Sequence, residues 1–147
     1  MNLKPLNILL ADDDMDDCVF FKDALGELLQ STYLSIVNDG EKLMLLLNNE
    51  GNELPDVLFL DINMPRKNGF ECLSEIKHNE RLKNLPVIMF STSNSQEKIS
   101  KLFNSGAHVY IHKPADFEQL KQVIRHALPM ATEEIFTRGK IKYILNA

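Results

Sequence analysis

Four short apolar runs in this chain each end on residues able to handle a divalent cation or a phosphoryl group. Asn7-Ile8-Leu9-Leu10-Ala11 leads into Asp12, Asp13 and Asp14, and Val57-Leu58-Phe59-Leu60 leads into Asp61. Val87-Ile88-Met89-Phe90 leads into Ser91 and Thr92, and Val109-Tyr110-Ile111-His112 into Lys113 and Pro114. Carboxylates are hard oxygen donors of the kind magnesium prefers. An ammonium and a hydroxyl can pair with phosphoryl oxygens. Short apolar runs bounded by turn residues read as buried parallel strands, and an open parallel sheet binds its ligands beyond the carboxyl ends of its strands. The pattern predicts that Asp12, Asp13, Asp61, Ser91 and Lys113 meet at one sheet edge, as a magnesium and phosphoryl-transfer site centred on Asp61.

Like charges as close as Asp12, Asp13 and Asp14 repel and raise one another's pKa values, a cost that a bound divalent cation removes. Magnesium keeps several waters and takes one or two carboxylates directly. Asp13 and Asp61 can supply these, Asp12 can bind through water, and the backbone carbonyl of Asn63 can add an oxygen. Asp14, Asp16 and Asp17 read instead as acids favouring a helix N-terminus. Asp12, Asp14 and Asp16 have the alternate spacing of a calcium loop, but Asp17 stands where its turn glycine belongs and Asp23 where its glutamate belongs, which argues against one.

Positioning these residues requires strands that alternate with helices, and the chain shows that alternation five times. Strands are predicted at Asn7–Ala11, Tyr33–Val37, Val57–Leu60, Val87–Phe90 and Val109–His112. The first helix is predicted over Met15–Leu29, with Val19, Leu25, Leu28 and Leu29 on or near its inner face. Asn38 with Glu41, Asn68 with Glu71, Asn94 with Glu97 and Asp116 with Gln119 have the spacing of helix starts. Inward faces are predicted from Phe70, Leu73 and Ile76, from Ile99, Leu102 and Phe103, and from Phe117, Leu120, Val123, Ile124 and Leu128. Pro129 is expected to close the last helix.

The 147 residues suit one domain, and 44% of them are apolar, enough for a core. A formal net charge of −5 disfavours nonspecific nucleic-acid or acidic-membrane binding. No apolar stretch approaches a membrane span, and the start lacks a signal-peptide core. Cys18 and Cys72 have no metal spacing and read as reduced thiols. These features predict a soluble, cytoplasmic protein.

The chain resembles the receiver domains of two-component response regulators, particularly the single-domain chemotaxis type. The matching pieces are Ile8-Leu9-Leu10-Ala11-Asp12-Asp13, Leu60-Asp61-Ile62-Asn63-Met64-Pro65 with Gly69, Phe90-Ser91-Thr92, and Lys113-Pro114. Each alone is common; four in this order and spacing are specific, and they span about Asn7 to Leu128. The resemblance implies an α/β, flavodoxin-like (βα)5 three-layer sandwich with a five-stranded parallel sheet of order 2-1-3-4-5. It makes Asp61 the phosphoacceptor, Asp12 and Asp13 the acidic magnesium pair, Ser91 the switch hydroxyl and Lys113 the partner of the phosphoryl oxygens. It makes Tyr110 an aromatic switch that turns inward on activation, and the Lys113–Pro114 bond cis. Ser91 stands where threonine is common and Asn68 where aspartate is common; neither removes a group the chemistry needs.

The resemblance further implies a phosphoacceptor signalling protein, not an enzyme on an external substrate. Its phosphoryl donor would be a sensor histidine kinase or phosphotransfer protein. Its output protein would read the face of helix four, strand five and helix five, with no DNA-binding domain and no membrane partner. A phosphorelay intermediate, passing its phosphoryl group to a second histidine, and a phosphorylation-independent binding module are the alternatives. A haloacid-dehalogenase-type phosphatase wants a second aspartate where Asn63 stands. The expected layout is a receiver domain over 1–129 and a tail over 130–147 forming no separate domain. The apolar Ile141, Tyr143, Ile144 and Leu145 of that tail could pack on the domain, pair with a sheet edge or bind a partner; packing, or self-association as a homodimer, is preferred.

Overall fold

The computed structural model describes residues 5–28, 31–93, 95–131 and 143–145. Strands β1 (Leu6–Ala11), β2 (Thr32–Val37), β3 (Val57–Leu60), β4 (Val87–Ser91) and β5 (Val109–His112) alternate with helices α1 (Met15–Gly26), α2 (Gly40–Asn48), α3 (Gly69–Lys77), α4 (Gln96–Asn104) and α5 (Phe117–Ala131). A short strand β6 (Tyr143–Leu145) follows. The sheet order is β2-β1-β3-β4-β5-β6, every pair parallel. The expected order 2-1-3-4-5 is present, extended by one strand: Tyr143, Ile144 and Leu145 pair with Val109, Tyr110 and Ile111. Edge pairing is thus what part of the tail does.

Alternation along the strands divides the core in two. Leu9, Ala11, Leu58, Leu60 and Met89 face α2, α3 and α4 with Leu43, Leu47, Leu73, Ile76 and Leu102. Ile8, Leu10, Val57, Phe59, Ile88 and Phe90 face α1 and α5 with Phe21, Leu25, Leu120, Ile124 and Leu128. Strands buried on both faces are near-continuous apolar runs for this reason.

Several local expectations need correcting. α1 ends at Gly26, and its buried face is Cys18, Phe21, Ala24 and Leu25, whereas Val19 is 54% exposed. A β-branched apolar residue does not by itself mark the inner face; the 18-21-25 stripe at helical spacing does. Leu29 and Asn94 lie outside the described residues. Asp39, not Asn38, caps α2 by accepting from Lys42 N–H, and Ser95 caps α4 by accepting from Lys98 N–H. Asn68 and Glu71 form the expected capping box of α3. Pro129 lies inside α5, which continues to Ala131; a proline one turn from a helix end forgoes an N–H bond without having to stop the last residues.

Candidate functional site

Three site residues are held by ladder hydrogen bonds one step beyond their strands. Asp12 N–H donates to Val37 O at 3.0 Å, Asp61 N–H to Ala11 O at 3.0 Å and Lys113 N–H to Ser91 O at 2.8 Å. The sheet itself thus brings residues from three strand ends to one edge. Asp12 is fully buried; its carboxylate accepts from Asp14 N–H at 3.0 Å and its carbonyl accepts from the Asn38 side chain at 3.2 Å. The Cys18 thiol donates to the same carbonyl at 3.6 Å, and burial raises that thiol to about 11, so it is protonated and inert near neutral pH.

Asp61 is 6% exposed. Burial pushes its carboxyl up to about 6, Asp12 pushes the same way, and Lys113 pulls it down. The backbone N–H of Asn63 also donates to that carboxylate. One oxygen from each of Asp12, Asp13 and Asp61 lies within 4.8 Å of the others. The Lys113 ammonium contacts Asp12 at 2.7 Å, Asp17 at 2.9 Å and Asp61 at 3.4 Å, and this ion-pairing raises its pKa against the desolvation that would lower it. Three carboxylates therefore contact one ammonium, and a fourth, Asp13, lies beside two of them. Such a surplus of partly desolvated negative charge, offering hard oxygens, fits a divalent cation.

Ser91 is fully buried at the end of β4, and its Oγ accepts from Ser93 N–H at 3.3 Å. Tyr110 is also fully buried, beside the Ser91 hydroxyl, and its phenol donates to the Ser93 carbonyl. The ring already occupies the inward position that the resemblance associates with activation. No peptide bond among the described residues is cis, so the Lys113–Pro114 bond is trans, against expectation. Trans is the intrinsic preference of an X–Pro bond by roughly 0.5–1 kcal/mol, and the Lys113 contacts above form with it.

The sequence brought Asp12, Asp13, Asp61, Ser91, Tyr110 and Lys113 forward, and the fold assembles them; Asn63 is exposed next to Asp61. The sequence marks Asp17 only as a helix-capping acid. Its N–H is indeed bonded by Asp14 at 3.1 Å, yet its carboxylate turns to Lys113. The only linear sign was its place one turn beyond Asp13 in the acidic run.

Backbone closeness makes two glycines part of this architecture. A Cβ on Gly69 would stand 2.3 Å from the carbonyl oxygen of Asp61, and one on Gly40 would stand 1.9 Å from that of Lys67. The start of α3 therefore lies directly against the Asp61 backbone.

The response regulator receiver domain family matches this chain over residues 8–125. The chain belongs to that family, whose members are domains that accept a phosphoryl group on an aspartate and signal with it. It is 30% identical over 123 residues to the probable methanogenesis regulatory protein FilR2 of Methanothrix harundinacea, covering 82% of this chain and 79% of that one. It is 29% identical over 125 residues to response regulator Rcp1 of Synechocystis, covering 82% and 85%. Among solved structures, the Mn(2+)-bound form of Rcp1 matches with a TM-score of 0.78 at 27% identity, covering 88% of this chain and 97% of that one. The phosphorylated cyanobacterial phytochrome response regulator RcpA matches with a TM-score of 0.78 at 31% identity, covering 90% and 94%. No helix among the described residues is long and apolar enough to cross a membrane.

Proposed function

We propose that this chain works as a response regulator receiver that accepts a phosphoryl group on Asp61. The observation that carries the reading is the Asp61 carboxylate at the end of β3, within 4.8 Å of Asp12 and Asp13 oxygens and 3.4 Å from the Lys113 ammonium. Phosphoryl transfer needs mainly positioning and charge neutralisation, and these groups offer both. An Asp61 oxygen attacks the phosphorus of a phosphohistidine. The P–N bond breaks, and its electron pair leaves with the imidazole, which then takes up a proton. The Lys113 ammonium and the Ser91 hydroxyl hydrogen-bond the transferred oxygens, and the product is an acyl phosphate that water can hydrolyse.

Asp12, Asp13 and Asp61, with the backbone carbonyl of Asn63, would hold Mg2+. When bound, the ion supplies positive charge that offsets repulsion between the carboxylate and the phosphoryl oxygens. A relative solved with Mn(2+) and another solved phosphorylated accord with this assignment. The donor is a sensor histidine kinase or a phosphotransfer protein in the cytoplasm, and the output protein reads the face of α4, β5 and α5. Tyr110 links that face to the site through Ser91 and Ser93. The trans Lys113–Pro114 bond leaves each of these roles intact.

Intact-mass spectrometry after incubation with Mg2+ and acetyl phosphate tests the reading. One added phosphoryl group is expected on the wild-type chain and none on Asp61→Asn. An adduct that persists in Asp61→Asn, or none on wild type even at saturating donor, would overturn it.

A further inference from the structure

We infer that Asp17 is a positioning residue that divides the Lys113 ammonium between a resting anchorage and an incoming phosphoryl group; this rests on Asp61 being the phosphoacceptor. Three carboxylates hold the ammonium, and the longest of the three contacts, 3.4 Å, is the one to Asp61. Asp12 is buried and fixed by the Asp14 N–H. Asp17 differs: it stands in the first turn of α1 with its side chain 37% exposed. Water can solvate its carboxylate when the ammonium leaves, so the Asp17 pair is the anchor that releases most cheaply.

The surroundings leave room for that release. Asp17, Phe20, Phe90, Pro114 and Leu120 line, with Lys113, a partly open pocket of about 20 Å³, space for about one water molecule. The Lys113 ammonium lies 5.4 Å from the centre of the Phe90 ring on the same wall. The lysine is therefore tethered by charge on a side where packing is incomplete. A phosphoryl group on Asp61 brings oxygens that outbid Asp17 for the ammonium, and the shift toward them breaks the Asp17 contact. Asp17 thereby opposes phosphoryl acceptance and keeps the resting site from engaging anions of low affinity.

The test compares wild type, Asp17→Asn, Asp17→Glu and Asp16→Asn. Asp16 is exposed one residue away, and among the described residues it makes no ion pair with Lys113. Asp16→Asn therefore removes the same charge without touching the clamp. The rate of phosphorylation at limiting acetyl phosphate and saturating Mg2+, and the half-saturating concentration of beryllofluoride, are measured for each. Asp17→Asn is expected to be phosphorylated about threefold faster and to bind beryllofluoride about threefold tighter, the size of one half-exposed ion pair. Asp17→Glu should return toward wild type, and Asp16→Asn should stay near it. Equal effects of Asp17→Asn and Asp16→Asn, or no gain in Asp17→Asn, would overturn the inference. A second readout needs no phosphoryl group: the Lys113 ammonium signal in nitrogen-15 spectra of metal-free protein. Slow proton exchange in wild type and Asp16→Asn, and faster exchange in Asp17→Asn, supports the clamp; unchanged exchange in Asp17→Asn refutes it. A wild-type chain that took no phosphoryl group would remove the role of Asp61 while leaving this second readout to judge the clamp.

Discussion

The Asp61 carboxyl is raised from 3.8 to about 6, chiefly by burial, then by Asp12, with Lys113 opposing. Its pKa in the folded chain therefore exceeds that in the unfolded chain, so between about pH 4 and pH 6 the native state binds more protons. Stability falls as pH rises through that window and stays lower above it. In the absence of divalent cations, Asp61→Asn is expected to stabilise the protein by on the order of 2–3 kcal/mol at pH 7.5, and by much less near pH 4. Thermal denaturation in chelator at both pH values checks this, and equal gains at the two would contradict it. A residue that costs stability while ionised, in a cleft of converging polar groups, is the pattern expected of function rather than of packing. The approximate position of that cleft was legible because carboxylates and lysine directly follow apolar runs. That Asp17 belongs to it was not, since the same residue type serves as a helix-start acid and as an ion-pair partner.

At the level of elements, α3 shows how closely the site is built into the backbone. Its capping box, Asn68 with Glu71, was readable from three-residue spacing because both bonds are local. The need for Gly69 has a different origin: the helix start lies against the Asp61 carbonyl, a contact made through the turn Ile62–Asn68. Gly69→Ala would put a methyl 2.3 Å from that oxygen, against the backbone of Asp61 and Ile62 rather than a flexible side chain. The expected outcome is a loss of about 1–3 kcal/mol or more, seen in urea denaturation, together with slowed phosphorylation of the folded fraction as the Asp61 backbone shifts. Wild-type stability in this variant would mean that α3 can move away freely. The caps fall at Asp39 and Ser95, one residue past Asn38 and Asn94, because neighbouring Asn, Asp and Ser side chains are equivalent candidates until the chain direction into the helix is known.

For the whole molecule, β6 changes what the sheet presents to solvent. Without it, β5 would be an edge with unpaired backbone along Val109–Ile111, a surface open to pairing with other chains. Deleting residues 132–147 is expected to lower stability, to speed hydrogen exchange within Val109–Ile111 and to increase self-association, while phosphorylation of Asp61 persists because β5 keeps its ladder to β4. Hydrogen-exchange mass spectrometry and sedimentation check these together. Unchanged exchange would mean that β6 contributes no protection to β5. Two layers of helices, α1 with α5 and α2 to α4 opposite, cover the two faces of the sheet.

The linear order of residues was enough for the layout of this protein: five apolar runs of strand length, the helices between them, and the acids, hydroxyl and lysine that follow the runs. These signals are local, since strand alternation, helical stripes and three-residue caps are written within a few positions of one another. Only the folded chain decided that Lys113 is shared among Asp12, Asp17 and Asp61, that Tyr110 already lies inward, that the Lys113–Pro114 bond is trans and that Tyr143–Leu145 closes an edge. Lys113 is 101 positions from Asp12 in the chain. Distances across such gaps follow from sheet order and side-chain packing, which no spacing within the sequence encodes.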